Sequence, residues 1–403
     1  MARSLLKLPN FRWLQFSLRT VLVLVTLLCV ALSQWVVPAE RQRRAVAAIG
    51  PVHVMYVEGD ETSSEILPRR LLRRCLPRDY IDHVDEVYLV GTRVGDSDLA
   101  ELRVLRSLRQ LRLTGTPITD AGLAHLQGLT NLQFLDLGLT GISDVGLDKL
   151  RRLTALQGLA LHRTKVTDKG MAALEALVGL QGLWLTETQL ADAGLVHLRG
   201  LTELRELHLS DTEVTDTGLV HLHNLKLLQT LGLARTKVTD VGLAHLEGLT
   251  SLQDLWLSET QVTDSGLARL RGLTKVRWLA LDHIDITDEG IVHLDQMKGL
   301  QRLILNASRI TDAGLAHLRR LRALTWLSLS RTHVTNAGLV VLLQDHPHLE
   351  ILYLDETQVS DAGLASLRPL TSLRILSVRK TKVTDAGVAE LRQALPNCRI
   401  TGP

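Results

Sequence analysis

Leucine-like positions recur along this chain at a fixed spacing from Val84 almost to the C terminus. The run L-x-x-L-x-L, as at Leu204, Leu207 and Leu209, returns every 24 residues with one interval of 25, and a Thr/Ser-Asp-x-Gly motif follows it in most units. Counted from Val84, thirteen such units follow one another. A unit this short cannot bury its own leucines, so its stability must come from stacking on its neighbours.

The hydrophobic pattern inside each unit predicts one strand and one helix. The short x-L-x-L stretch alternates with period two, which is typical of a strand, and G-L-x-x-L-x-x-L after the motif predicts a short helix. Strands at the same place in each coil stack in parallel, and at ~4.8 Å apart the predicted strands form a sheet on the order of 60 Å long. We therefore predict an α/β solenoid with a parallel β-sheet on its concave face and short helices on its convex face.

Polar residues recur in register with the leucines. A threonine column runs through Thr116, Thr212 and Thr260, and the motif aspartate recurs throughout, with Asn336 in its place once. Threonine or aspartate is expected to cap the helix N–H groups. The motif glycine, as at Gly266, allows either tight packing between coils or special backbone angles, and the sequence leaves both open.

The N-terminal residues differ from the repeats. Residues 18–37 form an apolar run of about twenty residues, long enough at ~1.5 Å per residue to cross a ~30 Å hydrocarbon core. Trp13 and Trp35 lie near its ends, where aromatic rings favour the membrane interface. We predict a transmembrane helix at 18–37 after a basic segment at 1–17. A cleaved signal peptide is the alternative, because Val37-Pro38-Ala39 offers a small residue before a possible cut.

The same sequence features predict the boundaries of the other segments. We expect a juxtamembrane helix and N-terminal cap at 38–83, with a strand at 52–57 and a helix at 65–76. The repeat domain spans 84–398, and Pro396 breaks the leucine pattern before a tail at 399–403. Four Lys/Arg residues lie before the uncharged part of the run, which begins at Thr20, and three follow the run; this favours a single-pass membrane protein with exported repeats, on the periplasmic or extracellular side.

Charge and cysteine content exclude some classes. The net charge is +3, but seven of the Lys/Arg residues lie in the first 50 positions, and the repeats are close to neutral. Nucleic acid is therefore not an expected partner, since phosphate contacts need clustered basic residues. Cys29, Cys75 and Cys398 are too widely placed to form disulfides with one another.

Aromatic residues concentrate on the predicted inner face. Residues flanking the second leucine of each strand point away from the core, and every Phe, Tyr and Trp after Val84 holds such a position. We predict a partner-binding surface there, because aromatic and arginine side chains supply most interface hot spots. Its predicted residues are Tyr88, Phe134, Trp184, His208, Trp256, Trp278, Arg302, Trp326 and Tyr353.

Two other interpretations of these rings stay open. They could pack sideways on adjacent strands and only shield the sheet, or they could bind a surface carbohydrate. Charged neighbours on the same face, among them Arg112, Asp136, Glu206 and Asp254, are mixed in sign and suit a protein better than a polyanion.

A histidine column marks the predicted helices. Its members follow the motif aspartate by five residues and are His125, His197, His221, His245, His293 and His317. A metal ladder or a pH sensor is conceivable, but no Asp, Glu or Cys column converges there, so a repeated surface choice is the preferred interpretation. We predict no metal site.

No catalytic constellation accompanies the repeats. The chain has no P-loop, no G-x-G-x-x-G after a strand, no G-x-S-x-G and no H-E-x-x-H. We therefore predict a protein that is not an enzyme, needs no cofactor and takes no small-molecule substrate.

The pattern LxxLxLxxTxVTDxGLxxLxxL resembles the leucine-rich-repeat superfamily, and within it the variant of F-box substrate receptors, where cysteine usually holds the threonine column. With the apolar N-terminal run, the chain is similar to membrane-anchored bacterial proteins built from such repeats. This resemblance implies a membrane-tethered protein-binding scaffold or receptor. The alternative is a substrate-recognition subunit of a ubiquitin-ligase-like complex, although the stretch at 65–76 is too short to be an F-box domain.

Overall fold

A three-residue strand centred on a buried leucine recurs in each repeat of the chain. The computed structural model describes residues 84–402, the strand at 53–56 and positions 42 and 44. Its strands are β1 His53–Tyr56, β2 Val84–Tyr88, β3 Gln110–Arg112, β4 Phe134–Asp136, β5 Gly158–Ala160, β6 Gly182–Trp184, β7 Glu206–His208, β8 Thr230–Gly232, β9 Asp254–Trp256, β10 Trp278–Ala280, β11 Arg302–Ile304, β12 Trp326–Ser328, β13 Ile351–Tyr353, β14 Ile375–Ser377 and β15 Arg399–Thr401.

The strands form one sheet in chain order, β1 to β15. From β2 onward every pair is parallel and in register, so that Leu255, Leu279 and Leu303 are direct neighbours. The predicted parallel sheet is confirmed. The strand predicted at 52–57 appears as β1, and it pairs antiparallel with β2.

The C-terminal end of the sheet differs from the prediction. Residues 399–403 were expected to form a tail, but Arg399–Thr401 is a strand that pairs in parallel with β14. Ile400 is 7% exposed and occupies the core position that leucine holds elsewhere. The thirteen predicted units therefore carry a fourteenth parallel strand.

Short helices of four to ten residues lie on the opposite side from the strands, as predicted, and most continue into 3₁₀ turns. The α-helices are α1 Asp120–Leu123, α2 Asp144–Leu147, α3 Asp168–Met171, α4 Asp192–Leu195, α5 Asp216–Leu219, α6 Asp240–Leu243, α7 Asp264–Leu267, α8 Asp288–Ile291, α9 Asp312–His317, α10 Asn336–Asp345, α11 Asp361–Ser366 and α12 Asp385–Ala394. The 3₁₀ segments are Asp98–Val104, Asp148–Arg152, Ala172–Ala176, Val196–Leu198, Val220–Leu222, Ala244–Leu246, Ala268–Gly272, Val292–Leu294 and Leu318–Arg320.

Threonine is the N-cap residue directly before most of these helices, as the sequence predicted. The Thr311 backbone is extended, and its hydroxyl accepts a hydrogen bond from the Ala313 N–H at 3.2 Å. The other threonine column lies inside the coil: the buried Thr260 hydroxyl donates to the Leu257 carbonyl at 2.6 Å. Each column thus satisfies backbone groups that the short elements leave without regular partners.

The motif aspartate joins each coil to the next. Asp216 Oδ1 accepts the Thr239 backbone N–H at 2.7 Å, and its Oδ2 accepts the Thr239 hydroxyl at 2.6 Å. A Cβ on Gly242, in the same turn, would lie 2.3 Å from Asp216 Oδ1. The glycine is therefore needed for tight packing between coils and not for special backbone angles.

The N-terminal predictions mostly fall outside the described residues. These are the basic segment at 1–17, the transmembrane helix at 18–37, the helix at 65–76 and the side chains of Cys29 and Cys75. Within the part of the chain that the structure describes, no helix has the length and apolar character to span a bilayer. Cys398 is buried and unpaired, and burial raises the pKa of its thiol to about 11.

Candidate functional site

The two residues that flank the buried central residue of each strand from β2 to β15, leucine in most strands and Val87 in β2, line the concave face. All nine residues predicted for partner binding hold these positions, on β2, β4, β6, β7 and β9 to β13. The rings are half-buried, and Arg302 is exposed. The strand register alone thus brings the predicted residues to one surface.

Side chains on this surface contact one another from strand to strand. The Arg112 guanidinium lies between the rings of Tyr88 and Phe134, 5.1 Å from each centroid. The Phe134 ring then meets the edge of Trp184 at 6.0 Å between centroids, and Trp184 stacks on His208 at 6.1 Å.

The series continues without a break to β13. His208 lies 5.0 Å from Trp256 between ring centroids, and Trp256 meets Trp278 edge-on at 5.2 Å. The Arg302 guanidinium lies between Trp278 and Trp326, 5.2 and 5.4 Å from the two centroids. Trp326 ends the series against Tyr353 at 6.2 Å. We call these ten residues, the nine predicted ones and Arg112, the concave ladder.

Glycine occupies both strands that the ladder skips, β5 and β8. A Cβ on Gly158 of β5 would come within 2.5 Å of the Phe134 ring. A Cβ on Gly232 of β8 would lie 3.2 Å from Trp256 and 3.3 Å from His208. These glycines leave the space in which rings from non-adjacent strands meet.

Sequence reasoning missed Arg112 as a ladder member and placed it only among charged neighbours. Its position on the inner face was evident from the strand period. Contact with two flanking rings was not, because it depends on how far each side chain reaches sideways.

Burial changes the chemistry of the polar ladder members. It lowers the pKa of His208 to about 4, so this imidazole is neutral at neutral pH. The Nε1–H groups of Trp256, Trp278 and Trp326 are buried without a hydrogen-bond partner among the described residues. Neighbouring ring faces can act as weak acceptors for such donors.

Two acidic residues on the same face, Glu86 and Asp282, have hydrogen-bond partners within the fold. The Tyr88 hydroxyl donates to Glu86 at 2.6 Å, and this bond raises the pKa of Tyr88. Asp282 accepts hydrogen bonds from Ser258 at 2.9 Å and Asn306 at 2.7 Å. The surface therefore combines part-exposed rings, two ring-flanked arginines and carboxylates held by their neighbours.

A depression of about 280 Å³ opens beside the first part of the ladder. Phe134 and Trp184 line it, together with the side of the sheet that carries Gln133, Gln157 and Gln181. Both rings thus keep accessible surface next to amide groups that can donate and accept hydrogen bonds.

The histidine column lies on the convex side, where His125, His197, His221 and His293 contact the preceding coil. Arg199 donates to His221 Nδ1 at 2.6 Å, and His197 Nδ1 lies 2.6 Å from Glu175 Oε1. Burial and then the charge of Arg199 lower the pKa of His221. Within the described residues, these histidines act as pairwise links between coils.

The rings pack sideways on one another, as the shielding interpretation expects, and each stays part-exposed, as binding requires. Both interpretations are compatible with the positions of the nine predicted residues. Binding therefore remains a prediction for this surface.

Comparison with known proteins supports the repeat architecture. A family model described as leucine-rich repeat matches residues 104–126, 128–150 and 201–222. A comparison with curated protein sequences finds no match.

Several solved structures are similar in fold. An internalin (inlF) from Listeria monocytogenes is 23% identical with a TM-score of 0.63, over 83% of this chain and 92% of the internalin. A leucine-rich-repeat protein of Leptospira interrogans is 20% identical with a TM-score of 0.51, over 81% of this chain and 92% of that protein. The repeating units, the parallel inner sheet and these similarities show that the chain has the leucine-rich-repeat fold.

Proposed function

We propose that this chain is a non-enzymatic, membrane-tethered scaffold or receptor that binds a protein partner on its concave face. The observation that carries the proposal is the concave ladder, a line of part-exposed rings and arginines from β2 to β13. Aromatic and arginine side chains dominate interface hot spots, and rings held by their neighbours lose little conformational freedom on binding.

A protein partner fits the ladder better than other ligands do. The acids and bases of the inner face are mixed in sign, whereas a polyanion needs clustered positive charge. Leucine-rich-repeat structures also present a long inner sheet to macromolecules, as an extended concave surface. A surface carbohydrate remains the alternative ligand, because sugars also stack on exposed rings.

The binding test compares ring variants of the full chain with a matched convex variant. Proteins of the source organism that cross-link to the full chain are identified and purified. Their affinity is then measured by titration for the wild type and for the variants Trp256→Ala and Trp326→Ala. Each ring variant is expected to bind the partner at least about tenfold more weakly than the wild type. Val241→Ala, which removes a 67% exposed apolar side chain from α6, is expected to stay within about twofold of wild type.

Equal affinity of the wild type and both ring variants would contradict the proposal and direct attention to the convex side. Binding of a glycan array with no protein captured would favour the carbohydrate alternative.

The membrane tether rests on the apolar run at 18–37. The full chain is expected to stay with membranes after alkaline extraction, and added protease is expected to reach the repeats only from the outer side. Release into the soluble fraction would contradict the anchor and favour a cleaved signal peptide.

The ubiquitin-ligase-like alternative rests on the repeat variant alone. It requires an adaptor-binding domain, for which the sequence offers only the stretch at 65–76. Capture of an adaptor protein by this N-terminal region would support it.

A further inference from the structure

Arg302 has a different environment from the ion-paired arginines of the repeats. Arg163 pairs with Glu187 at 2.6 Å, and Arg331 pairs with Glu356 at 3.1 Å. Arg302 is exposed, and it forms no ion pair with any carboxylate among residues 84–402. Two indole rings flank it instead.

The strand register explains why no carboxylate reaches Arg302. Its direct neighbours across the sheet are Trp278 on β10 and Trp326 on β12. The third positions of β10, β11 and β12 are Ala280, Ile304 and Ser328, none of which is charged.

Two acids on this face are held by polar neighbours. Asp254, two strands away on β9, accepts a hydrogen bond from Thr230 at 3.3 Å, and Asp282 is held by Ser258 and Asn306. Arg277, which precedes β10, is exposed and also forms no ion pair among the described residues. Arg302 therefore has no acidic neighbour on β10, β11 or β12, and a second arginine without an ion pair lies beside it.

The two rings prepare the guanidinium for one kind of ligand. With Trp278 and Trp326 beside it, the accessible part of the group is its edge, where the N–H donors lie. A carboxylate matches that edge with two parallel hydrogen bonds, and an ordered guanidinium loses little rotamer freedom when they form. The rings also offer apolar surface to the residues beside the carboxylate.

We infer that Arg302, with Trp278 and Trp326, forms a receptor for a carboxylate side chain of an acidic segment in the protein partner. The inference rests on the proposed function of the concave face and adds the chemistry of one contact. Charge complementarity carries it: Arg302 has no ion pair among the described residues, lies near a second such arginine, and has no acidic residue on its own strand or on the two strands beside it.

The experiment uses the full chain in detergent and a random glutamate–tyrosine copolymer as the probe. Binding is measured by interferometry at low and physiological salt, with a lysine–tyrosine copolymer and heparin as comparators. Wild type is expected to bind the glutamate copolymer in preference to the lysine copolymer, and more weakly as salt rises.

Three variants distinguish specific recognition by the Arg302 guanidinium from general electrostatic attraction. Arg302→Gln is expected to bind the glutamate copolymer at least about tenfold more weakly, because a pair of charge-assisted hydrogen bonds is lost. Arg302→Lys keeps the charge but not the planar donor edge, and is expected to lie between Arg302→Gln and wild type. Arg309→Gln removes an exposed arginine that pairs with Asp285 at 3.2 Å, and is expected to bind like wild type.

Equal binding by wild type and Arg302→Gln would overturn the inference. So would tight heparin binding that depends on Arg302 without binding of the glutamate copolymer, since that result indicates a sulfate or phosphate receptor. If Arg302→Gln has no effect while Trp256→Ala still loses the natural partner, the inference fails and the proposed function stands.

Discussion

Asp240 in one coil holds Thr263 in the next through two hydrogen bonds from a single carboxylate. Its Oδ1 accepts the Thr263 backbone N–H at 2.7 Å, and its Oδ2 accepts the Thr263 hydroxyl at 2.6 Å. The same pair of contacts recurs along the array, for example from Asp288 to Thr311. The coils are thus joined by a regular series of charge-assisted contacts as well as by the leucine core.

Replacing this carboxylate should destabilise the solenoid, and the loss should be smaller when the new side chain can form the same hydrogen bonds. Asn336 makes the equivalent contacts to Ser360, accepting its N–H at 2.9 Å and donating to its hydroxyl at 2.8 Å. Asp240→Asn is therefore expected to lower the free energy of unfolding by less than about 1 kcal/mol, and Asp240→Leu by about 2–4 kcal/mol. Urea unfolding followed by circular dichroism measures both, and similar losses would contradict the prediction.

The glycine beside each carboxylate should not tolerate a methyl group. In Gly266→Ala the new Cβ would lie 2.3 Å from Asp240 Oδ1 and 3.1 Å from Leu243. We expect a loss of about 2–3 kcal/mol in the free energy of unfolding, because overpacking must displace the inter-coil contact. Gly200→Ala is the control, since nothing lies within 4 Å of its added Cβ. A loss of the same size in both variants would show that the contact with Asp240 is not the cause.

A column of left-handed residues precedes the buried threonines, and most of its members are not glycine. Ala307 has φ 52°. A residue with a Cβ is strained at this φ, whereas glycine is not. Ala307→Gly is expected to stabilise the protein by about 1 kcal/mol. Ala268→Gly, at φ −60° after α7, is expected to destabilise it by a similar amount. Thermal unfolding of the two variants should therefore shift in opposite directions, and shifts of the same sign would contradict this assignment.

The half-buried imidazole of His208 in the ladder should make the protein less stable in acid. The pKa of His208 is about 4 in the fold, against 6.5 for an ordinary histidine, so the unfolded chain binds the proton first as the pH falls. Stability from this site is complete above pH 6.5 and decreases as the pH falls toward 4. Relative to His208→Gln, wild type is expected to lose about 2–3 kcal/mol between neutral pH and pH ~4. Other histidines contribute to both proteins and cancel in the difference. Parallel pH profiles would contradict the prediction.

The space over β8 should matter for binding more than for folding. In Gly232→Val a side chain would enter between His208 and Trp256, where an added Cβ already lies 3.2 Å from Trp256. Partner affinity is expected to fall about tenfold. Gly299→Val, in a turn where nothing lies within 4 Å of the added Cβ, is the control. Unchanged affinity in Gly232→Val would mean that continuity of the ladder is not required.

Periodicity predicted most of the fold because each unit repeats the same local problem. The spacing of Leu252, Leu255 and Leu257 identifies a strand, and the glycine and leucines after the motif identify a helix. It did not predict β15, since Pro396 interrupts the leucine pattern just before Ile400 restores a core residue. The hydrogen bonds between Asp240 and Thr263 were also not predicted, because both residues were expected only to cap helices.

The sequence by itself determined the coil, its parallel sheet and the set of side chains on the concave face, because the strand period of two and the 24-residue repeat are local properties. Only the tertiary structure decided which of those side chains touch. Arg112 and Arg302 lie between rings, and His208 meets Trp256 over Gly232, because neighbouring strands lie only ~4.8 Å apart and large side chains reach across them. It is that lateral reach, which no single repeat contains, that turns separate residues into one continuous surface.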